Sequence, residues 1–588
     1  MRLPILLRPL LLSLAVLAAP PLPEMSERPS QAAVASAHPL ATEAGMAILA
    51  AGGNAFDAAV AVSAALAVVE PYGSGLGGGG FWLLHRASDG RQLMVDGRER
   101  APGAAHRDLY LDARGEVIDG ASINGPLAAA IPGQPAALAH IAARYGRLPL
   151  AQSLAPAIRL ARDGFAVDEH YRRWVGFRTA VLARQPAAAQ QFLVNGAPPP
   201  LGHVLRQPDL ADTLLALAER GRDGFYAGPV AQRLVDGTRA GGGIWTLQDL
   251  ADYRVVERAP MVGQYQGLRV VSAALPSSGG VLLVQMLNML SELDLADMTP
   301  LQQRHYLVEV MRRAYRDRAV YLGDADFVSM PLARLTSPDY ARTVLAGIDP
   351  ARATPSSALG KSAAAEATAA DPYGSGAPAA LQEGRNTTHF SIYDAEGNRV
   401  GATLSINYPF GACYVPPGTG VLLNDEMDDF AAKPGVPNAY GLVGADANAI
   451  APGKRPLSSM SPTFVEGPDG VAILGTPGGS RIISMVLLAI LDIAAGRTDP
   501  DHWVRVGRIH HQYLPDRLQY EPGALDPATV AGLAAMGHQP EALESSYGNM
   551  QAIYWDSRRQ QLRAASDPRG IGAARVSPPS SLAVSDRQ

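Results

Sequence analysis

Small and apolar residues dominate from Pro39 to Val69, with a break at Gly52-Gly53-Asn54. That pattern predicts two buried, closely packed helices, about Pro39–Ala51 and Ala55–Val69, with Asn54 capping the second. Then comes GSGLGGGGFWLLHR, where Gly77–Gly80 leads into a strand over Phe81–His85 that pairs with Gln92–Asp96. No helix follows the glycines and no Lys-Ser/Thr closes them, so a phosphate cradle is a poor reading. A close backbone approach to something bulky or flat is a better one. Helical spacing dominates from 125 to 260, over Gln134–Tyr145, Leu150–Gly164, Asp209–Arg220, Pro229–Ala240 and Leu247–Tyr253. Strand character returns at Val262–Ala273, before Pro276-Ser277-Ser278-Gly279-Gly280, a strongly apolar helix over Val281–Glu292 and another long helix over Gln302–Tyr321 with Arg and Glu on its polar face.

Periodicity then vanishes. From about Pro355 to Arg385 the chain is Ala, Ser, Gly and Pro with scattered charge, which predicts a mobile surface segment. Alternation resumes at Asn386-Thr387-Thr388-His389, and HFSIYDAEGNRVGATLSIN reads as a hairpin turning at Asp394–Asn398. A strand at Gly420–Asn424 is expected to lead into Glu426–Phe430, followed by a polar loop, Pro434–Lys454, and then Arg455–Pro462. Another strand, Val471–Leu474, feeds Gly475–Arg481 and a helix, Ile482–Ala495, apolar nearly all round and therefore placed between layers. The remainder alternates strands with one helix, Pro527–Met536, and ends in a loose tail after Pro578. Strands flanked by such helices predict helix layers on both sides of a stacked, largely antiparallel sheet pair. No internal repeat is visible.

At 588 residues the chain exceeds one ordinary core, so two closely joined units or one large layered domain are expected. A net charge of −5 gives no basic footprint for nucleic acid. Arg2 and Arg8 precede an apolar run, Leu10–Ala19, with small residues at its end. This is the pattern of a signal peptide over residues 1–19, with a disordered mature start over 20–32 and a periplasmic or secreted address. A retained N-terminal anchor is the alternative. Cys413 is the single cysteine, so no intrachain disulfide forms, and a buried filler is its expected role. No metal-ligand cluster appears, and no cofactor is expected.

Candidate chemistry centres on Thr387. If the chain is cut between Asn386 and Thr387, that residue carries both a hydroxyl nucleophile and an α-amine titrating at about 7.7–8.0. Such a residue supports acyl transfer without a Ser/His/Asp set. His389 shares its face, either orienting the site or packing there. Ser405 and Asn407 also share a face, either toward Thr387 across the hairpin or toward solvent. Glu426 and Asp429, at the expected strand end, are able to hold a ligand ammonium, or else one of them is solvated and idle. Ser458 and Ser459 offer hydroxyls to a carboxylate, and Arg98 a bidentate pair. Gly478-Gly479 before a helix offers backbone N–H groups where an oxyanion would form. Taken together, these residues describe a pocket for a zwitterion with its acyl carbon at Thr387.

The motifs NAFDAAVA, SGLGGGGF, DGRERAP, PSSGG, TTHFS, LLNDEMDDF, RPLSSMSPT and TPGGSRI, spread from about Ala33 to Ala574, resemble those of the γ-glutamyltransferase (γ-glutamyltranspeptidase) family. The resemblance implies an α+β fold, a four-layer αββα sandwich of the N-terminal nucleophile hydrolase type. It further implies one precursor that cuts itself into two intertwined subunits, 33–386 (with 355–386 as a flexible tail) and 387–588. The implied activity is cleavage of glutathione and other γ-glutamyl compounds through a γ-glutamyl-Thr387 ester, with water, amino acids or dipeptides as acceptors. By motif, Thr387 is the nucleophile and Ser405 its support, while Gly478 and Gly479 form the oxyanion hole. Arg98, Ser458 and Ser459 take the α-carboxylate, and Asn407, Glu426 and Asp429 take the α-amine. The loop Pro434–Lys454 resembles a lid with Tyr440 as its gating aromatic. Two positions depart from many members: Ser405 replaces Thr, and Glu426 stands where some bacterial members have Gln. The rivals are a related acylase acting on glutaryl or cephalosporin side chains, and an exported scaffold or binding protein that is never processed. A glutaryl group lacks the ammonium that Asp429 would meet, which favours glutamyl.

Overall fold

The computed structural model describes residues 28–360 and 386–578. Two mostly antiparallel sheets stack face to face. The seven-stranded sheet runs Ala573–Val576, Ala33–Ser36, Thr388–Tyr393, Arg399–Ser405, Gly79–Arg86, Arg91–Gly97 and Val256–Arg258. The six-stranded sheet runs Gln561–Ser566, Gln551–Asp556, Gly470–Gly475, Thr463–Gly467, Leu268–Ser272 and Met261–Tyr265. Leu83, Tyr393, Phe464, Ile473 and Ile553 fill the space between them. Outside the first sheet, Trp82, Val95, Ile392 and Leu404 pack on the helices Ala55–Val69, Gln134–Arg144 and Leu150–Asp163. Outside the second, Val465, Leu474 and Tyr554 pack on Gly279–Ser291, Pro300–Tyr321 and Ile482–Ala494. This is the four-layer αββα arrangement that the alternation of elements predicts.

The first two helices fall at Pro39–Ala50 and Ala55–Val69. Asn54 caps the second in a reciprocal capping box with Asp57. Their small side chains allow the tight approach: a Cβ on Gly45 would lie 2.7 Å from Val62. The strand character expected at Val262–Ala273 takes the form of a hairpin, turning at Gln266-Gly267 with both φ angles positive, as a two-residue connection requires.

Several expectations are corrected. Gly420–Asn424 is not a strand; Leu423 alone forms an isolated bridge, to Gly77. The helix Glu169–Leu182, capped by Asp168, and the strand Thr463–Gly467 were not expected. The first has four charged residues mixed with aromatics, and the second is too short for its alternation to register. Order begins before Ala33: Gln31 and Ala32 are already hydrogen-bonded to Ser577. At the other break Ser356 is buried, and its amide donates to Asp516 at 2.7 Å, so packing reaches into the stretch expected to be mobile. Residues 361–385, the signal-like segment and the C-terminal tail beyond Pro578 lie outside the described residues.

Candidate active site

Thr388 heads a buried strand whose register places it opposite Leu404, so Thr387 falls opposite Ser405, the last residue of the next strand. The two hydroxyls lie 2.9 Å apart. Thr387 has φ +95°, a conformation that a β-branched residue adopts only under strain, at a cost of about 1–3 kcal/mol. Asn407 lies past the strand end rather than on it, at φ +72°. Its amide donates to Ser405 Oγ at 2.8 Å and its side chain to the Asp425 carbonyl at 3.0 Å. Ser405 and Asn407 are both buried and turned inward, not toward solvent. His389 takes the packing alternative. It lies between Thr403 at 2.8 Å and Ser391 at 3.2 Å, and burial drives its pKa down to about 3, so it is neutral. Gly475 faces its ring so closely that a Cβ there would lie 2.3 Å away.

Glu426 and Asp429 occupy a single 3-10 turn, Glu426–Asp429, not a strand end. Arg98, just after the strand Arg91–Gly97, is the cation between them. It donates to Glu426 at 2.7 Å, to Asp429 at 2.5 Å and to the Pro456 carbonyl at 3.1 Å. Glu99 is a third carboxylate, 3.5 Å from Arg98. Burial pushes Glu426 and Glu99 above the usual carboxylate range, with the Arg98 charge opposing in both cases. Asp428 turns the other way and fixes the following loop, accepting from Ser122 and from the Ala439 amide at 2.7 and 2.9 Å. No motif assigned it that task.

The opposite wall is made of hydroxyls. The Ser278 amide and hydroxyl donate to the Ser458 carbonyl at 2.8 and 2.7 Å, so the Pro276–Gly280 turn fastens the Ser458-Ser459 segment. Ser458 Oγ accepts from the Met460 amide at 3.1 Å, and Ser459 Oγ from Arg318 at 3.3 Å. Gly478 and Gly479 both have positive φ and open a 3-10 turn into the helix Ile482–Ala494. Gly479 and Ser480 are among the residues that line the cleft, next in sequence to Gly478. Tyr440 forms the roof: its hydroxyl accepts from Asn386 at 2.6 Å and donates to the Asn407 carbonyl at 2.9 Å. A Cβ on Gly479 would lie 2.7 Å from the Tyr440 ring. Thr387, Ser405, Asn407, Arg98, Glu426, Asp429, Ser458, Ser459 and Tyr440 thus all face one cleft of about 300 Å³, counting its open mouth.

A hydroxyl heading a core strand, inside paired sheets sheathed by helices, defines an N-terminal nucleophile hydrolase. The family model for gamma-glutamyltranspeptidase matches residues 41–577. A glutathione hydrolase proenzyme of a Pseudomonas strain is 43% identical, over 86% of each chain. That of Escherichia coli is 41% identical, over 94% of this chain and 95% of its own. Among solved structures, a cephalosporin acylase from Bacillus halodurans superposes with a TM-score of 0.79 at 25% identity, covering 96% of this chain and 99% of that one. The chain belongs to the gamma-glutamyltranspeptidase family.

Proposed function

We propose that this protein is a γ-glutamyltransferase and glutathione hydrolase that matures by cutting itself between Asn386 and Thr387. The observation that carries the reading is the Thr387–Ser405 hydroxyl pair, 2.9 Å apart, in the same cleft as the Arg98–Glu426–Asp429 charge cluster. In self-cleavage, Thr387 Oγ1 attacks the Asn386 carbonyl carbon and Ser405 supports the hydroxyl. The C–N bond breaks, an ester forms, and water hydrolyses it to leave an Asn386 carboxylate and a Thr387 α-amine. The positive φ at Thr387 supports this step, because cleavage releases the strain.

In turnover, the α-amine takes the Thr387 hydroxyl proton as the oxygen attacks the γ-glutamyl carbonyl. The Gly478 and Gly479 amides receive the developing oxyanion, and the amine returns its proton to the leaving amino group. Water then yields glutamate, or an amino acid or dipeptide takes the acyl group. A zwitterion fits the Arg98–Asp429 pair without unbalancing it: the substrate ammonium takes Asp429, helped by Asn407 and Glu426, while its carboxylate meets Arg98, Ser458 and Ser459. Tyr440 covers the bound glutamyl group. The basic, then apolar, N-terminus supports export to the periplasm or medium, without a stable membrane anchor after signal removal.

The test is Thr387→Ala. The variant is expected to run as one uncut chain and to release no p-nitroaniline from γ-glutamyl-p-nitroanilide. N-terminal sequencing of the wild type is expected to find one start after the leader and another at Thr387. Processing or turnover by the variant would reject the assignment, and a wild type that stays whole would point to the scaffold reading. The likeness to a cephalosporin acylase is the observation behind a second reading, a related acylase acting on glutaryl or cephalosporin side chains.

A further inference from the structure

Arg318 lies on the helix Pro300–Tyr321, is 5% exposed, and belongs to none of the motifs. Arg98 meets Glu426 and Asp429, Arg313 meets Glu309, and Arg508 meets Asp567, whereas Arg178, equally buried, meets Cys413, Asn124 and the Gly411 carbonyl. Arg318 has hydroxyls instead. Its Nε donates to Ser278 Oγ at 3.0 Å and its Nη2 to Ser459 Oγ at 3.3 Å. Among the described residues no carboxylate lies within 4.0 Å of it. Asp429, Arg98 and Tyr315 are the charged or titratable groups that face it.

A buried guanidinium with no carboxylate in direct ion-pair contact is costly, so its place beside a cleft favours an anion that arrives there. Arg98 is poorly placed to be that anion's sole counter-charge. Even after yielding Asp429 to an ammonium, it still faces Glu426 at 2.7 Å and Glu99 at 3.5 Å. Arg318 also holds both sides of the hydroxyl wall. It grips Ser459 directly, and Ser278, which it also grips, donates to the Ser458 carbonyl at 2.7 Å. Because the Ser459 oxygen accepts from a cation, its own O–H is polarised to donate into the cleft.

We propose that Arg318 is a positioning residue for the substrate α-carboxylate: it supplies the uncommitted positive charge of that wall and delivers it through Ser459. This rests on the γ-glutamyl reading above. Two truncated ligands separate the walls. Glutarate keeps the carboxylate and lacks the ammonium; 4-aminobutyrate keeps the ammonium and lacks the carboxylate.

The experiment measures inhibition of γ-glutamyl-p-nitroanilide hydrolysis by L-glutamate, glutarate and 4-aminobutyrate, in processed wild type, Arg318→Gln and Arg318→Lys. In Arg318→Gln, the inhibition constants of glutamate and glutarate are expected to rise about 10–100-fold, the loss of one charged hydrogen bond. That of 4-aminobutyrate stays within about twofold of wild type, and the donor KM rises while kcat stays within about threefold. Arg318→Lys, which keeps the charge but not the fork, is expected to fall between the two, and it carries the comparison alone if the Gln variant does not mature. Equal weakening of all three ligands, or of none, would overturn the proposal. A wild type inactive on the γ-glutamyl anilide would instead fail the function itself.

Discussion

Glu70 follows the buried helix Ala55–Val69 and is itself buried, with one carboxyl oxygen lacking any hydrogen-bond partner among the described residues. Burial raises its pKa to about 8, the nearby Thr388 hydroxyl opposing and the Asp168 charge adding. The folded state therefore holds a proton that the unfolded chain, titrating near 4.5, has already lost. The stabilisation is complete below that lower value and disappears as pH rises through about 8. Glu70→Gln keeps the shape and cannot titrate. Thermal melts at pH 5, 7 and 9 are expected to show wild type losing ground to the variant as pH rises; a constant gap would contradict a neutral Glu70. Asp429 provides a second residue-scale test. Asp429→Asn is expected to lower kcat/KM for γ-glutamyl donors about 100-fold, the cost of leaving a charged partner unmet, and to spare glutaryl donors. Equal losses on both would remove the ammonium role.

At the scale of elements, the glycine run is the informative case. The sequence asks for a close approach at Gly77–Gly80, and the structure supplies it from the protein's own backbone rather than from a ligand. A Cβ would lie 2.0 Å from the Leu422 carbonyl at Gly77, 2.1 Å from the Ser405 carbonyl at Gly78 and 2.5 Å from the Thr403 carbonyl at Gly80. The run thus seats the strand end that carries Ser405. Gly78→Ala is expected to destabilise by about 1–3 kcal/mol through overpacking and to slow self-cleavage, seen as uncut chain on a denaturing gel. Gly176, in the helix Glu169–Leu182, has nothing within 4 Å of its missing Cβ. Gly176→Ala should leave processing unchanged and raise stability slightly, by up to about 1 kcal/mol. The helices Ala55–Val69 and Ile482–Ala494 were readable because long apolar runs with clear ends leave few alternatives. Gly420–Asn424 was misread because a short β-branched and apolar run looks alike whether it pairs with a strand or lies against a glycine loop.

In the whole molecule, the proposed cut would fall just ahead of a strand in a sheet shared by both products. Thr388–Tyr393 lies between Ala33–Ser36, from the segment before the cut, and Arg399–Ser405, from the segment after it. The second sheet is shared too, through the pairing of Leu268–Ser272 with Thr463–Gly467. Breaking one peptide bond leaves both ladders and all three apolar layers in place. The two fragments are therefore expected to elute as one particle on native size exclusion and to part only in denaturant. Separate elution after cutting would show that the layers do not span the two segments.

The sequence alone determined the layered architecture, a strand opening within Asn386–His389 and the residue types of the cleft, because periodicity, capping and side-chain chemistry are local properties. It could not show that Arg98 is already paired with the two carboxylates opposite it, that His389 is dry and neutral, or that Arg318 stands behind Ser459. Those facts depend on which distant segments meet and how much water they exclude. Burial and pairing, which decide the charge a site presents, exist only once the chain has folded.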